Sequence, residues 1–328
     1  MIEDYCRARF GAAAPAKVDY YGVLEKRMEE IPDLYSNEVW DNHLILTPEV
    51  RAACREVLAR AVAAAGSERA RAHVQTMVDL QRSTDAMADA VEHARETGDF
   101  GAAAQKMAVV FEVRDRLNAL YKNFMNSTRL DDKRKEQYMT GGIYNQWQGF
   151  DERIRGAAAS LLLPRRWHLM LDTRNHAVPL GYHRPEVAVD QLEEHDVTVC
   201  PDVKFGTHRE MAAFFYRTQV DVPADFAGKD VVLYFPSIIA RALQIWINGE
   251  PVAFDHGTHT EHIWRGPTYF WMSYDHALEF DVTAHVRPGE KNTIAFRVFK
   301  SYDFAGTYRR IFLLADEPEP AIEPLPVE

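Results

Sequence analysis

Cysteine is scarce: Cys6, Cys54 and Cys200 are the only three in 328 residues, and no two are spaced C-x-x-C. An odd set without that spacing excludes a disulfide framework and a cysteine-built zinc knuckle, which leaves buried thiols. Positive charge is also short, with 38 Lys and Arg against 49 Asp and Glu and a net charge of -11. A phosphate backbone is held by a concentrated basic surface, so nucleic acid is not an expected partner. Long apolar runs are missing too. The Leu161-Leu162-Leu163 run meets Pro164-Arg165-Arg166, far short of the roughly 20 residues of a membrane-spanning helix, so no membrane span is expected. The start, MIEDYCRARFG, has no basic region leading into an apolar core, so no secretory signal is read there and the compartment stays open. No phosphate-cradling glycine motif occurs, and Ser237 has no G-x-S-x-G around it. No cofactor is expected.

What is present divides the chain in two. At 47% hydrophobic residues, 328 positions can fill a core in each of two domains. From Thr47 to about Ser160 the apolar period is helical. Thr47-Pro48-Glu49 offers an N-cap hydroxyl, Pro at the first helical position and an acid near the positive end of the dipole. Met77, Leu80, Met87 and Val91 recur at helical spacing, as do Val110, Val113, Leu117, Leu120 and Phe124. Between these stripes Gly98 and Asp99 supply the C-cap and the next N-cap of a helix hairpin.

After Pro164 the period becomes two. Tyr216, Thr218, Val220 and Val222 fall on one strand face, and Leu243, Ile245, Ile247 and then Ile294, Phe296, Val298 repeat the alternation. Strands are expected at about 213–222, 230–236, 241–248 and 292–300. Pro223, Asn248-Gly249 and Pro288-Gly289 punctuate them with no amphipathic helix between, which predicts antiparallel pairing. The fold class expected is multidomain α plus β, an N-terminal α-helical domain followed by an antiparallel β-sandwich. The last residues, 318–328, are acidic and Pro-rich and read as a solvated tail.

Two sets of residues invite chemistry. His256, His259 and His262 stand at intervals of three in a connection longer than neighbouring strands need. On an irregular loop they can converge on a cation; on a strand His259 would face away from the other two. The same connection carries Trp264, Tyr269 and Trp271, whose flat faces suit the C–H face of a sugar, with Asp255, His262 and Arg265 for its hydroxyls. Residues 255–274 are expected to form one long loop whose aromatics matter more than its histidines, and which either binds carbohydrate or packs on another domain. A glycosidase uses two carboxyl groups roughly 5 to 9.5 Å apart. The pairs Asp151-Glu152 and Glu193-Glu194 are consecutive and diverge, so no catalytic residue is assigned.

The segments LPRRWHLMLDTRNHAVPLGYHRP, FFYRTQVDVPADFAGKDVVLYFPSI, QIWINGEPV, LEFDVTAHVRPGEKNTIAFRV and AGTYRRIFLL, in that order, resemble the sugar-binding, galactose-binding-like jelly rolls of family 2 glycoside hydrolases. EDYCRARFGAAAPAKVDYYGVLEKRMEE is similar to the last helix of a glycosidase (β/α) barrel in large bacterial enzymes, where a helical region and a jelly roll follow the barrel. The resemblance implies four parts: a terminal helix at 1–30, a helical domain at 31–163, the sandwich at 164–317 and the tail. It also implies that the chain is the C-terminal portion of such an enzyme, an accessory carbohydrate-binding or scaffolding region whose partners are an oligo- or polysaccharide or an upstream catalytic barrel. Two alternatives stand beside it: a self-contained enzyme built on His256, His259 or His262, and a purely structural interaction module.

Overall fold

The computed structural model describes residues 2–31, 42–121, 140–207, 210–253, 269–273, 277–300 and 305–318. By its internal contacts the chain divides into two units, Met1–Gly149 and Phe150–Glu328.

The first unit is helical, with α1 Ile2–Phe10, α2 Ala14–Glu30, α3 Asn42–Ile45, α4 Pro48–Ala64, α5 Glu68–Thr97, α6 Phe100–Lys106 and α7 Ala108–Leu120; α8, Thr140–Gly156, begins here. The caps are those expected. Thr47 Oγ1 accepts from the Val50 amide at 3.3 Å, and Asp99 Oδ1 accepts from that of Ala102 at 2.8 Å. Gly98 closes α5 in the left-handed region. On α7, Val110, Val113 and Leu117 are buried as their spacing predicts, whereas Leu120, in the last turn, is 61% exposed; Phe124 lies outside the described residues.

The stripe expected on α5 is corrected. Of Met77, Leu80, Met87 and Val91 only Val91 is fully buried, Met77 packs half-buried against the core, and the buried line runs through Ala70, Val74, Ala88 and Val91, with Asp79 and Gln81 among them. Small side chains let the neighbouring helices approach closely, and the two polar residues find partners across the packing. Arg116 pairs with Asp79, and Tyr20 donates to Gln81 Oε1 at 2.8 Å. Residues of α1 and α2 belong to this core, since Cys6, Phe10 and Ala13 cluster with Val57, Ala61, Ala70 and Val74.

The second unit is an antiparallel β-sandwich. Its smaller sheet has the order β1-β12-β5-β9, from β1 Ala159–Leu162, β5 Asp230–Phe235, β9 Leu278–Asp281 and β12 Phe312–Asp316. The larger has the order β11-β6-β10-β4-β2-β3, from β2 Arg166–Leu171, β3 Glu193–Asp196, β4 Ala212–Asp221, β6 Ile238–Ile247, β10 Lys291–Lys300 and β11 Gly306–Thr307, with the short β7, Glu250–Pro251, paired to β6. The four strands read from period-two spacing are thus β4, β5, β6 and β10. β1 lies before Pro164, where the sequence gives too few alternating residues to mark a strand.

Inward residues of both sheets fill one core. Phe296 stacks on Tyr216 with centroids 4.5 Å apart and meets Phe235, from the opposite sheet, edge-on at 5.4 Å. Each such buried aromatic contributes about 1.5–3 kcal/mol over leaving it in water. The turns lock by side-chain hydrogen bonds. Asn248, at φ 54°, accepts from the Thr293 amide at 2.9 Å and donates to Asn292 Oδ1 at 2.8 Å, so the W-I-N-G hairpin and the P-G-E-K-N turn hold each other. Gly306 is required on two counts: its φ is 122°, and a Cβ there would lie 2.7 Å from Pro201 Cδ and 2.8 Å from the Tyr216 hydroxyl. The two arginines of G-x-Y-R-R reach carbonyls, Arg309 that of Pro236 and Arg310 that of Leu163. Near the end of α8, Arg153 bonds both Glu279 at 2.8 Å and Asp316 at 2.7 Å, and these bonds raise its pKa.

Candidate functional site

Strand alternation puts a second set of residues on the outer face of the larger sheet. The register aligns them in rows: His168, Arg217, Ala295 and Trp246; then Met170, Phe215, Arg297 and Gln244; then Ala213, Phe299 and Ala242. Several are apolar, so this face must be covered as well.

The connection from Asp172 to Leu192 covers the first two rows. Ala177, Val178 and Tyr182 pack on Phe215, Trp246 and Ala295, and the His183 ring lies 5.6 Å from that of Trp246. Burial there lowers the His183 pKa. Two buried guanidinium groups pin the connection from below. Arg297 pairs with Asp172 Oδ2 at 2.9 Å and donates to the Asp172 carbonyl at 2.8 Å, while Asp172 Oδ1 accepts from the amides of His176 and Ala177. Arg217 donates to the carbonyls of Val187 at 2.5 Å and Pro185 at 3.2 Å. Burial lowers the pKa of both arginines, yet an arginine stays charged at any physiological pH.

Among the described residues the third row is left open. Ala213, Ala242 and Phe299 floor a cleft of about 410 Å³, with Thr173, Met211 and Arg241 among its walls. Phe299 is half-buried and Met211 is 65% exposed. The Arg297 guanidinium sits 4.3 Å from the centroid of the Phe299 ring and fixes that ring in place. At the end of the same strand the Lys300 side chain turns inward, where its ammonium meets Asp202 Oδ1 at 2.6 Å and the Thr207 carbonyl at 2.6 Å. The cleft therefore has an apolar floor with an aromatic ring, an exposed guanidinium and one hydroxyl, in the size range of small-ligand sites.

The expected loop 255–274 is corrected in part. Residues 269–273 form strand β8, antiparallel to the free edge of β6, with Tyr269 opposite Leu243 and Trp271 opposite Ala240. The run YFWMS is aromatic-rich and suits a strand, and β6 offers it an unpaired edge. Asp255, His256, His259, His262, Trp264 and Arg265 lie outside the described residues. Among the described residues no group of His, Cys, Asp and Glu is arranged to hold a metal ion, and no helix is long and apolar enough to cross a membrane. The three cysteines are free and buried, as their number and spacing predict. Of the acidic pairs, Asp151 bonds Arg155 at 2.9 Å, while Glu193 pairs with Lys204 and Glu194 lies 3.9 Å from Arg166.

Sequence reasoning missed Thr173, Met211, Arg241 and Phe299. A signal was present: in AAFFYRTQV and IAFRVFK the outward positions hold Phe215, Ala295 and Phe299 as well as arginines, which marks a sheet with two covered faces.

No protein-family model matches the chain, and no curated protein matches it. Among solved structures it is similar to β-glucuronidase from Ruminococcus gnavus. With that protein in complex with D-glucaro-d-lactam it shares 15% identity at a TM-score of 0.39, over 49% of this chain and 30% of that one. With the apo form the figures are 14% and 0.38, over 49% and 29%.

Proposed function

We propose that the chain is an accessory carbohydrate-binding and scaffolding region of a glycoside hydrolase-like carbohydrate-active protein, without a complete catalytic site of its own. The observation that carries this reading is the cleft on the outer face of the larger sheet. It joins a fixed aromatic ring, Phe299, to polar groups at its walls, Thr173 and Arg241. A sugar ring presents an apolar C–H face and a rim of hydroxyls, and that pairing of surfaces is what such a cleft accepts. β8 pairs with β6 at Ala240 and Leu243, the two residues that flank Arg241 and Ala242, so this strand borders the cleft-bearing stretch of β6 along the sheet. The five motif segments supply its framework: the first ends in the covering connection, and the second, third and fourth contribute β4, β6 and β10.

In this reading an oligosaccharide is bound and oriented here, while an upstream barrel does the chemistry. The test is to display the chain on an oligosaccharide array and assay it on a panel of aryl glycosides. Saccharide binding without turnover is expected. Turnover that survives repurification and disappears on one Asp or Glu substitution contradicts the accessory role, and an array with no saccharide bound contradicts the binding role.

A further inference from the structure

Resting on the carbohydrate reading above, we infer that the cleft selects an acidic sugar, with Arg241 holding the carboxylate of a hexuronate whose ring lies on Phe299. The first observation is a β-bulge. Between Ala240 and Leu243, β6 advances three residues while its partner β8 advances two, from Trp271 to Tyr269. Ala240 and Leu243 both face the core, with Ile238 before them and Ile245 and Ile247 after. The extra residue leaves Arg241 and Ala242 together off the core side, and both line the cleft. A bulge costs ladder hydrogen bonds, and it re-aims a side chain that regular alternation would have placed elsewhere.

The second observation is charge. The two arginines in the outer-face rows are engaged, since Arg217 and Arg297 hold the covering connection. Arg241 is exposed and makes no hydrogen bond or ion pair with any described residue. Arg174, next to the lining residue Thr173, is exposed as well. Among the described residues no acid lines the cleft. In a chain of net charge -11, an exposed guanidinium in a cleft with no acid among its described lining residues is a local site for an anion. Guanidinium matches carboxylate with two parallel N–H···O bonds, and a neutral hydroxymethyl group cannot reproduce that.

Calorimetric titration of the full chain with methyl hexosides and the matching methyl hexuronides, in gluco, galacto and manno series, tests this, because each pair differs only at C6. At least one hexuronide is expected to bind about tenfold more tightly than its hexoside, the worth of one charge-assisted contact. That preference disappears in Arg241→Gln, survives in part in Arg241→Lys and weakens as salt rises, whereas Phe299→Ala weakens both members of the pair. Equal binding of the members of every pair, a preference unchanged in Arg241→Gln, or acetate competing as well as the hexuronide overturns the inference and leaves the carbohydrate reading standing. Binding of no sugar in a panel extended to oligosaccharides overturns that reading, and the inference with it.

Discussion

Replacing Lys300 by Met isolates a buried charge and gives the sharpest test of how the cleft's end of the sandwich is held. The side chains of Asp202 and Lys300 are 0% and 1% exposed and lie 2.6 Å apart. Asp202 Oδ1 also accepts from Thr207 Oγ1 at 2.6 Å, and Oδ2 accepts from the Ala305 amide at 3.2 Å and the Cys200 thiol at 3.3 Å. The Lys300→Met variant keeps those donors but removes the counter-charge, leaving a carboxylate in the interior. Breaking a buried pair from one side costs about 3–5 kcal/mol. For a unit of this size that is a fall in melting temperature of about 6–20 °C. Removing both charges, in Asp202→Asn with Lys300→Met, is expected to recover about 2 kcal/mol or more of the loss, since nothing charged is then buried. Urea melts of the full chain, followed by far-UV circular dichroism and tryptophan fluorescence and fitted with separate transitions for the two units, read both numbers. A loss below about 1 kcal/mol in Lys300→Met, or a double variant as unstable as the sum of its singles, refutes a tightly buried pair.

The Gly306→Ala variant forces a methyl against Pro201 and the Tyr216 hydroxyl at a φ of 122°, and a loss of about 3 kcal/mol or more is expected in the same melts; a change within about 0.5 kcal/mol contradicts the packing there. In the helical unit, Lys17 is buried with its ammonium 3.8 Å from the Tyr21 ring, and burial lowers its pKa from 10.5 to about 8. At this residue the unfolded chain binds more protons between those two values, so Lys17 adds stability as pH climbs from about 8. Burial raises Cys54 from 9.0 to about 11 and Tyr20 from 10.0 to about 12, and these two groups oppose the rise above pH 9. The stability of the wild type relative to Lys17→Met is expected to rise through that window, and a difference between the two that does not change with pH refutes the shift. Elemental analysis is expected to find no stoichiometric zinc, and Trp264→Ala or Trp271→Ala to weaken oligosaccharide binding or domain docking more than His259→Ala does. One zinc per chain, lost on His256→Ala, reverses that order.

Much of the framework was legible because local chemistry decided it. Thr47 and Asp99 cap helices by accepting from amides three residues on, Gly98 closes one by donating its amide to the Ala94 carbonyl, and Asn248-Gly249 forms its hairpin turn. The alternation in β4, β6 and β10 survives because one face of each meets a single core. Where tertiary packing chose among similar options, the sequence misled. Met77, Leu80 and Met87 have the right spacing for a core stripe, but only Met77 packs at the rim of the helical core, while the alanines of α5 fill it and Arg116 makes Asp79 tolerable inside. β8 was hidden because its partner, the edge of β6, is more than twenty residues away. The cleft was hidden for a related reason: it exists only where the Asp172–Leu192 connection stops covering the sheet, and no residue pattern states how far a connection reaches.

The central claim is that the sandwich binds saccharide through the open row on its larger sheet. Nuclear magnetic resonance titration of the full chain with the saccharide that binds most tightly on the array tests it most directly, using the methyl and amide signals of Met211, Ala213, Ala242 and Phe299 as reporters and Phe299→Ala as the control. The account predicts shifts that concentrate on those residues and a loss of affinity of at least tenfold in Phe299→Ala, with the urea melts unchanged. Saturable binding that leaves those signals in place and is indifferent to Phe299→Ala contradicts it.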